Sequence, residues 1–171
     1  MNYKIALIIS IVANTLFLFS ILSKNKKDLF KWQFLETILN IVKNTLLGGF
    51  SGATTQLIGA VRNFVLMKGY NIPYFPYILS VIQVILEISV NNHGYIGLFP
   101  IVASVSYTLI SFHTHSERTV KKALVFNLFL WGIYEILLKD YITLAVGILF
   151  IIITIYNLYK TRGNIKNETN H

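Results

Sequence analysis

Apolar residues fill seven long blocks of this chain, separated by short polar stretches: Tyr3 to Leu22, Leu29 to Phe50, Ser51 to Met67, Pro76 to Val90, Tyr95 to Phe112, Ala123 to Leu138 and Tyr141 to Tyr159. Blocks this long predict helices rather than strands. Several are short against the ~20 helical residues that a bilayer core requires. Only GGFSG separates the second from the third, and one helix of their combined length would be far too long, so Gly48, Gly49 and Gly52 predict a tight reversal. The final stretch, TRGNIKNETNH, is polar, lacks apolar periodicity and predicts a loose tail. The expected fold class is all-α: a polytopic membrane protein with seven transmembrane helices.

Polar positions inside the blocks are themselves patterned. Glu36, Asn40, Lys43 and Asn44 stand at i, i+4, i+7 and i+8, which is one helical face. Asn127, Trp131, Tyr134 and Glu135 repeat that stripe 91 residues later. The stretch AVRNFVLMKG at residues 60–69 aligns without a gap on TIYNLYKTRG at 154–163, pairing Val61 with Ile155, Asn63 with Asn157, Lys68 with Arg162 and Gly69 with Gly163. Ile11-Val12-Ala13 returns as Ile101-Val102-Ala103. The offsets of 90, 91 and 94 rise in chain order, so a helical triplet recurs. Three helices, a reversing linker and three more in the same orientation make a parallel repeat about an axis along the membrane normal, as in SWEET-type transporters. The expected division is a first three-helix bundle over residues 1–70, a linker helix over 71–94, a second bundle over 95–160 and a polar cytoplasmic tail over 161–171.

Composition strengthens the membrane reading. Of 171 residues, 54% are hydrophobic and 13% charged, which is not the mixture of a soluble domain. With no cysteine, disulfides and thiolate metal sites are excluded. MNYK followed by apolar residues 5 to 22 has the look of a signal peptide, but the run is long and lacks an A-x-A-like cleavage site, so a retained first helix is expected. The formal charge of +8 sits in short clusters between apolar blocks, not on a continuous basic face with interleaved aromatics, which argues against a nucleic-acid partner. Topology accounts for it. With SKNKKD on the cytoplasmic side, Lys24, Lys26, Lys27, Lys31, Lys68, Arg118, Lys121, Lys122, Lys160, Arg162 and Lys166 fall inside, against Lys4 and Lys139 outside. That sets the N-terminus out and the C-terminus in, where the Asn167-Glu168-Thr169 sequon has no meaning.

A charge at the bilayer centre costs at least ~2.5 to 3.5 kcal/mol on insertion scales, so depth separates rim charges from functional ones. Glu36, Lys43, Glu87 and Glu135 lie within ~11 Å of a predicted boundary and are expected to pair or snorkel at the rim. Arg62, about 9 Å before Lys68 along a helix, is expected to snorkel to the cytoplasmic headgroups. Asn63, repeated as Asn157, is expected to make an interhelical hydrogen bond. Near mid-depth the polar residues are uncharged: Asn14, Asn40, Gln83, Ser104 and Trp131 are the substrate-binding candidates, with Glu36, Asn44, Arg62, Asn63, Glu87, Asn127, Glu135 and Asn157 as polar support. Asn14 with Ser104 and Asn40 with Trp131 are repeat partners, as a ligand at the seam of two bundles requires. An aromatic face beside amides suits a small polar ring compound. The alternative is that the amides only hold helices together and Trp131 fills space or anchors near an interface. His113-Thr-His115 has no convergent carboxylate beyond Glu117, so no metal is expected. No nucleophile elbow, P-loop, HExxH or dinucleotide fingerprint occurs, and neither catalysis nor a cofactor is expected.

The stretches GATTQLIGAVRNFVLMKG, LFPIVASVSYTLISF and NLFLWGIYEILLKDYITLAVGIL resemble, in order and spacing, the bacterial inner-membrane family labelled YgjV. The resemblance covers most of residues 50 to 165. It implies a bacterial cytoplasmic-membrane address and, through that family's distant similarity to the SWEET, PQ-loop and nicotinamide riboside transporters, a three-one-three bundle. It names no substrate and no catalytic residue. The chain departs from those relatives in having no Pro-Gln pair, with Pro100 the only proline inside the first, second, fifth or sixth block, so a hinge of four prolines is not expected. Two readings follow: a transporter-like protein that moves a small polar metabolite by alternating access, or a non-transporting accessory, receptor or immunity protein. The expected partners are the lipid bilayer and an unnamed small molecule, with a homo-oligomer left open.

Overall fold

The computed structural model describes residues 2–46, 50–70, 72–91, 94–138 and 141–168. They form seven α-helices and no strand among the described residues: α1 (Asn2–Leu22), α2 (Lys26–Leu46), α3 (Phe50–Lys68), α4 (Phe75–Val90), α5 (Leu98–His113), α6 (Glu117–Leu138) and α7 (Tyr141–Glu168). A 3-10 turn, Gly94–Gly97, leads into α5.

Local chemistry explains the boundaries. Asn25 caps α2: its Oδ1 accepts the Asp28 N–H at 2.8 Å while its Nδ2 donates to the Asp28 carboxylate at 2.6 Å, a reciprocal pairing that starts the helix at Lys26, ahead of the apolar run. Ser116 opens α6 in the same manner, its Oγ accepting from Thr119 N–H and its carbonyl from Val120 N–H, so α6 begins six residues before Ala123. α3 ends where Gly69, at φ +72°, lets the Gly69 N–H reach the Leu66 carbonyl and the Tyr70 N–H reach that of Val65. Pro100 sits in the first turn of α5, where a missing N–H costs no intrahelical bond.

Two expectations need correction. Gly52 lies inside α3 and not in a turn, while Gly48 and Gly49 fall outside the described residues. The stretch from Thr161 to Glu168 continues α7 instead of forming a loose tail, because adding a residue to an existing helix brings one hydrogen bond and no new nucleation cost. Gly163, the counterpart of Gly69, is therefore helical.

α2 packs between α1 and α3, and α6 between α5 and α7; α4 bridges α3 and α5. Across the middle, α1 meets α7, α3 meets α5 and α2 meets α6. Exchanging α1, α2 and α3 for α5, α6 and α7 maps these cross contacts onto themselves.

At the end of the bundle that holds the α1–α2 and α5–α6 connections, Ile21, Leu29, Phe30, Leu66, Tyr107, Val120, Leu124 and Phe150 form an apolar plug. Two lysines stitch it from opposite sides. Lys26 Nζ on α2 donates to the Thr114 carbonyl after α5 at 2.5 Å, and Lys121 Nζ on α6 donates to the Ser23 carbonyl after α1 at 2.6 Å. Lys121 also bonds Asn157 Oδ1 at 2.6 Å and pairs with Glu117. Lys121, which the sequence places among the cytoplasmic cations, is 1% exposed.

The outer faces are aliphatic. On α4, Ile78, Val81, Ile82 and Ile85 are exposed while Ser80, Gln83 and Glu87 are buried, the reverse of a water-soluble amphipathic helix. α1 buries Ala6, Ala13 and Ser20, spaced by seven, and exposes Ile8, Ile11 and Phe19. Among the described residues, no helix is long and apolar enough to cross a membrane. α4 and α5 have 16 residues each, ~24 Å of helix, and α2, α3 and α6 carry charge within their length.

Candidate functional site

Polar residues turned inward leave the bundle unfilled on the side away from the plug. A cavity of about 690 Å³ lies there, in the ~300 to 1,000 Å³ range of small-molecule sites. Each wall is one helical face. α2 contributes Gln33, Glu36, Thr37, Asn40, Lys43 and Asn44; α3 contributes Gln56, Gly59, Arg62 and Asn63; α4 contributes Gln83, Glu87 and, beyond its end, Asn91. Opposite stand Pro100, Ser104 and Tyr107 of α5 and Asn127, Trp131 and Tyr134 of α6, with Phe150 of α7 and Asn14 and Phe17 of α1. Lys43, Asn91, Pro100 and Tyr134 are near the helix ends remote from the lysine stitches, so the lining runs from mid-bundle to one end only.

The two sides differ in chemistry. Among the described residues, charge comes from α2, α3 and α4, whereas α5, α6 and α7 present aromatic, apolar and neutral polar groups. Trp131 and Tyr134 meet edge to face with ring centres 5.8 Å apart, and Phe17 and Phe150 close the floor at 4.9 Å.

All five mid-depth candidates, Asn14, Asn40, Gln83, Ser104 and Trp131, line this cavity. Glu36, Asn44, Arg62, Asn63, Glu87 and Asn127 line it as well. Asn157 does not; it receives the Lys121 ammonium near the plug. The Glu135 side chain lies outside the described residues.

Arg62 departs from its expected place. Its Nε donates to Asn63 Oδ1 at 3.1 Å, its Nη1 to Thr108 Oγ1 at 3.4 Å, and the guanidinium lies 4.8 Å from the centre of the Tyr107 ring. It points into the bundle and not to a headgroup layer, where a hydroxyl, an amide and an aromatic face hold it. Asn63 correspondingly accepts from its own helix, not from another. Glu36 and Glu87 each have an amide partner one turn away on their own helix: Asn40 Nδ2 donates to the Glu36 carboxylate, and Gln83 Nε2 donates to Glu87 Oε1 at 2.8 Å. Among the described residues the one ion pair is Lys121 with Glu117, so Arg62 and the cavity carboxylates face the same space unpaired with each other.

Gln33, Tyr107 and Thr37 are wall residues that sequence reasoning missed. Tyr107 donates its hydroxyl to Gln33 Oε1 at 3.0 Å. Gln33 was legible, since it stands three residues before Glu36 and seven before Asn40 on the same stripe. His113 plays no part: its Nδ1 lies 2.7 Å from the Leu109 carbonyl, which can only accept, leaving Nε2 to accept from the Tyr77 hydroxyl at 2.9 Å.

Aliphatic outer faces around an interior cavity lined by polar side chains, Glu36, Lys43, Arg62 and Glu87 among them, place the chain in the class of helical bundles that are more apolar outside than within. The family model Imp-YgjV, described as bacterial inner membrane protein, matches residues 4–165, and the chain belongs to that family. No curated protein and no solved structure matches the chain significantly.

Proposed function

We propose that this inner membrane protein is a transporter in which α1–α3 and α5–α7 form two three-helix bundles, joined by α4 as linker, that rock about a shared cavity to carry a small polar metabolite. The observation that carries the reading is the cavity itself. A packing-only role expects Asn40 and Trp131 to close on other side chains, whereas both line about 690 Å³ of open volume. The contact pattern, unchanged when the triplets are exchanged, supports a two-fold axis between them. Crossing the bilayer is then a property of the assembled bundle: Glu36, Lys43, Arg62 and Glu87 line the interior cavity, aliphatic faces meet lipid, and helices shorter than ~30 Å are accommodated by local thinning.

Positive charge concentrates at the plug end, so that end faces the cytoplasm, with the N-terminus outside. The reciprocal lysine-to-carbonyl bonds act as the inner gate, and the conformation described here is the outward-facing one. The cavity is a binding site and not a reacting one.

Purified protein in detergent, warmed with a panel of polar metabolites, tests the reading. At least one compound raises the melting temperature, and Asn40→Ala or Trp131→Ala removes the shift. A panel without effect, or shifts indifferent to both changes, contradicts it.

A further inference from the structure

Arg62 is half-buried on α3 and lines the cavity, so part of its guanidinium opens on the unfilled space. Nε and Nη1 donate to Asn63 and Thr108, and the Tyr107 ring lies 4.8 Å from the group. Those contacts hold the guanidinium in place. Of its five N–H donors three stay uncommitted, both hydrogens of Nη2 among them. Nη2 is not one of the polar atoms sealed from solvent without a partner, so its hydrogens are reachable from the cavity. Gly59, about one turn earlier on the same wall, has no side chain to cover it: an added Cβ would stand 3.7 Å from Nη2.

An arginine stays protonated, and a charge inside a bundle is stable only with oxygen around it. Glu36 of α2 and Glu87 of α4 line the same cavity, yet neither comes within ion-pair distance of Arg62. Each accepts instead from an amide on its own helix. Ionised or neutral, a carboxylate beyond that distance leaves the Nη2 hydrogens unpaired. The open edge of the guanidinium is therefore a place for an oxygen anion that enters the cavity.

The opposite wall bears on what the anion is attached to. Among the described residues α5, α6 and α7 put no charge into the cavity, and Trp131 with Tyr134 present an edge-to-face aromatic pair there. A bare inorganic ion would leave most of about 690 Å³ unoccupied. Resting on the transport reading above, we infer that the metabolite is a small aromatic oxyanion, a ring bearing a carboxylate or a phosphate. Its oxygens accept from Arg62, and its ring lies against Trp131. Lys43, nearer the open end of the same cavity, adds a second positive charge along the way in. A neutral sugar leaves the guanidinium unanswered.

The test is isothermal titration of the full chain in lipid nanodiscs at neutral pH, with aromatic carboxylates, their primary carboxamides, phenyl phosphate, inorganic phosphate and glucose as probes. At least one aromatic oxyanion binds, and for a carboxylate the matching carboxamide is about tenfold weaker or worse, as loss of a charge-assisted hydrogen bond requires. Carboxylates set against phenyl phosphate show which oxyanion the site takes, and inorganic phosphate falls below both. Arg62→Gln lowers the oxyanion to the level of the carboxamide and leaves the carboxamide unchanged, whereas Arg62→Lys keeps part of the preference. Trp131→Ala weakens acid and carboxamide alike and keeps their ratio. Carboxamide bound at its native affinity also shows that a variant is folded, and the ratio in the native chain needs no variant. Acid and carboxamide binding equally, or a preference that survives Arg62→Gln, overturns the oxyanion. Glucose binding as tightly as any oxyanion, with dependence on Asn40 and Trp131, overturns it while the transport reading survives. Absence of binding by every oxyanion also overturns it, and the transport reading is then judged by the wider metabolite panel.

Discussion

An ammonium group with 1% exposure needs oxygen on several sides, and Lys121 finds the Ser23 carbonyl, Asn157 Oδ1 and the Glu117 carboxylate. These lie on three helices or their ends, so one side chain ties α1, α6 and α7 together. Lys121→Met keeps the stem and removes the charge, so the Ser23 carbonyl, Asn157 Oδ1 and the Glu117 carboxylate all lose its ammonium. The expected loss is about 2 to 4 kcal/mol of stability, read as a lower melting temperature in detergent; an unchanged temperature would show that the stitch is not needed. Residue scale is also where sequence reading met its limit. Spacing placed Arg62 close to a helix end, and that spacing fits both a snorkelled guanidinium and one folded inward over an aromatic ring. The choice is made by Tyr107 and Thr108, 45 and 46 positions on in the chain, which no local pattern connects to Arg62.

At the scale of elements, the apolar blocks located every helix among the described residues, but they did not mark the helix ends. α1 and α4 start within a residue of their blocks, whereas α2 and α6 start earlier, because Asn25 and Ser116 cap polar first turns that carry no hydrophobic signal. The cavity stripe of α2 was readable for the same reason the helix was: its polar residues recur with the helical period. Gly69 offers a direct check on the α3 terminus. An added Cβ there would meet nothing within 4 Å, so Gly69→Ala costs only backbone strain. About 1 kcal/mol is expected, read from the melting curve, and Gly69→Asn should cost less, since asparagine tolerates the left-handed region. Equal stability of all three proteins would contradict the Schellman-type ending.

For the molecule as a whole, three features share one arrangement: cross contacts that survive exchange of the triplets, two lysines closing the same end, and a cavity whose lining reaches the other end. The offsets of the internal repeat made the first of these legible from the chain. They could not reveal the cavity, because empty volume depends on which side chains fail to meet, nor the lysine stitches, which join positions 88 and 98 residues apart. The central claim is that water reaches mid-bundle from the face opposite those stitches while the plug keeps the other side dry. The absence of native cysteine makes the decisive measurement clean. Intact bacteria expressing Asn44→Cys or Ser20→Cys are treated with a membrane-impermeant maleimide, and modification is followed by mass shift. Asn44→Cys, on the cavity wall, should label from outside, and Ser20→Cys, fully buried near the plug, should not. Labelling of Asn44→Cys only after the cells are opened, or ready labelling of Ser20→Cys from outside, would contradict the account.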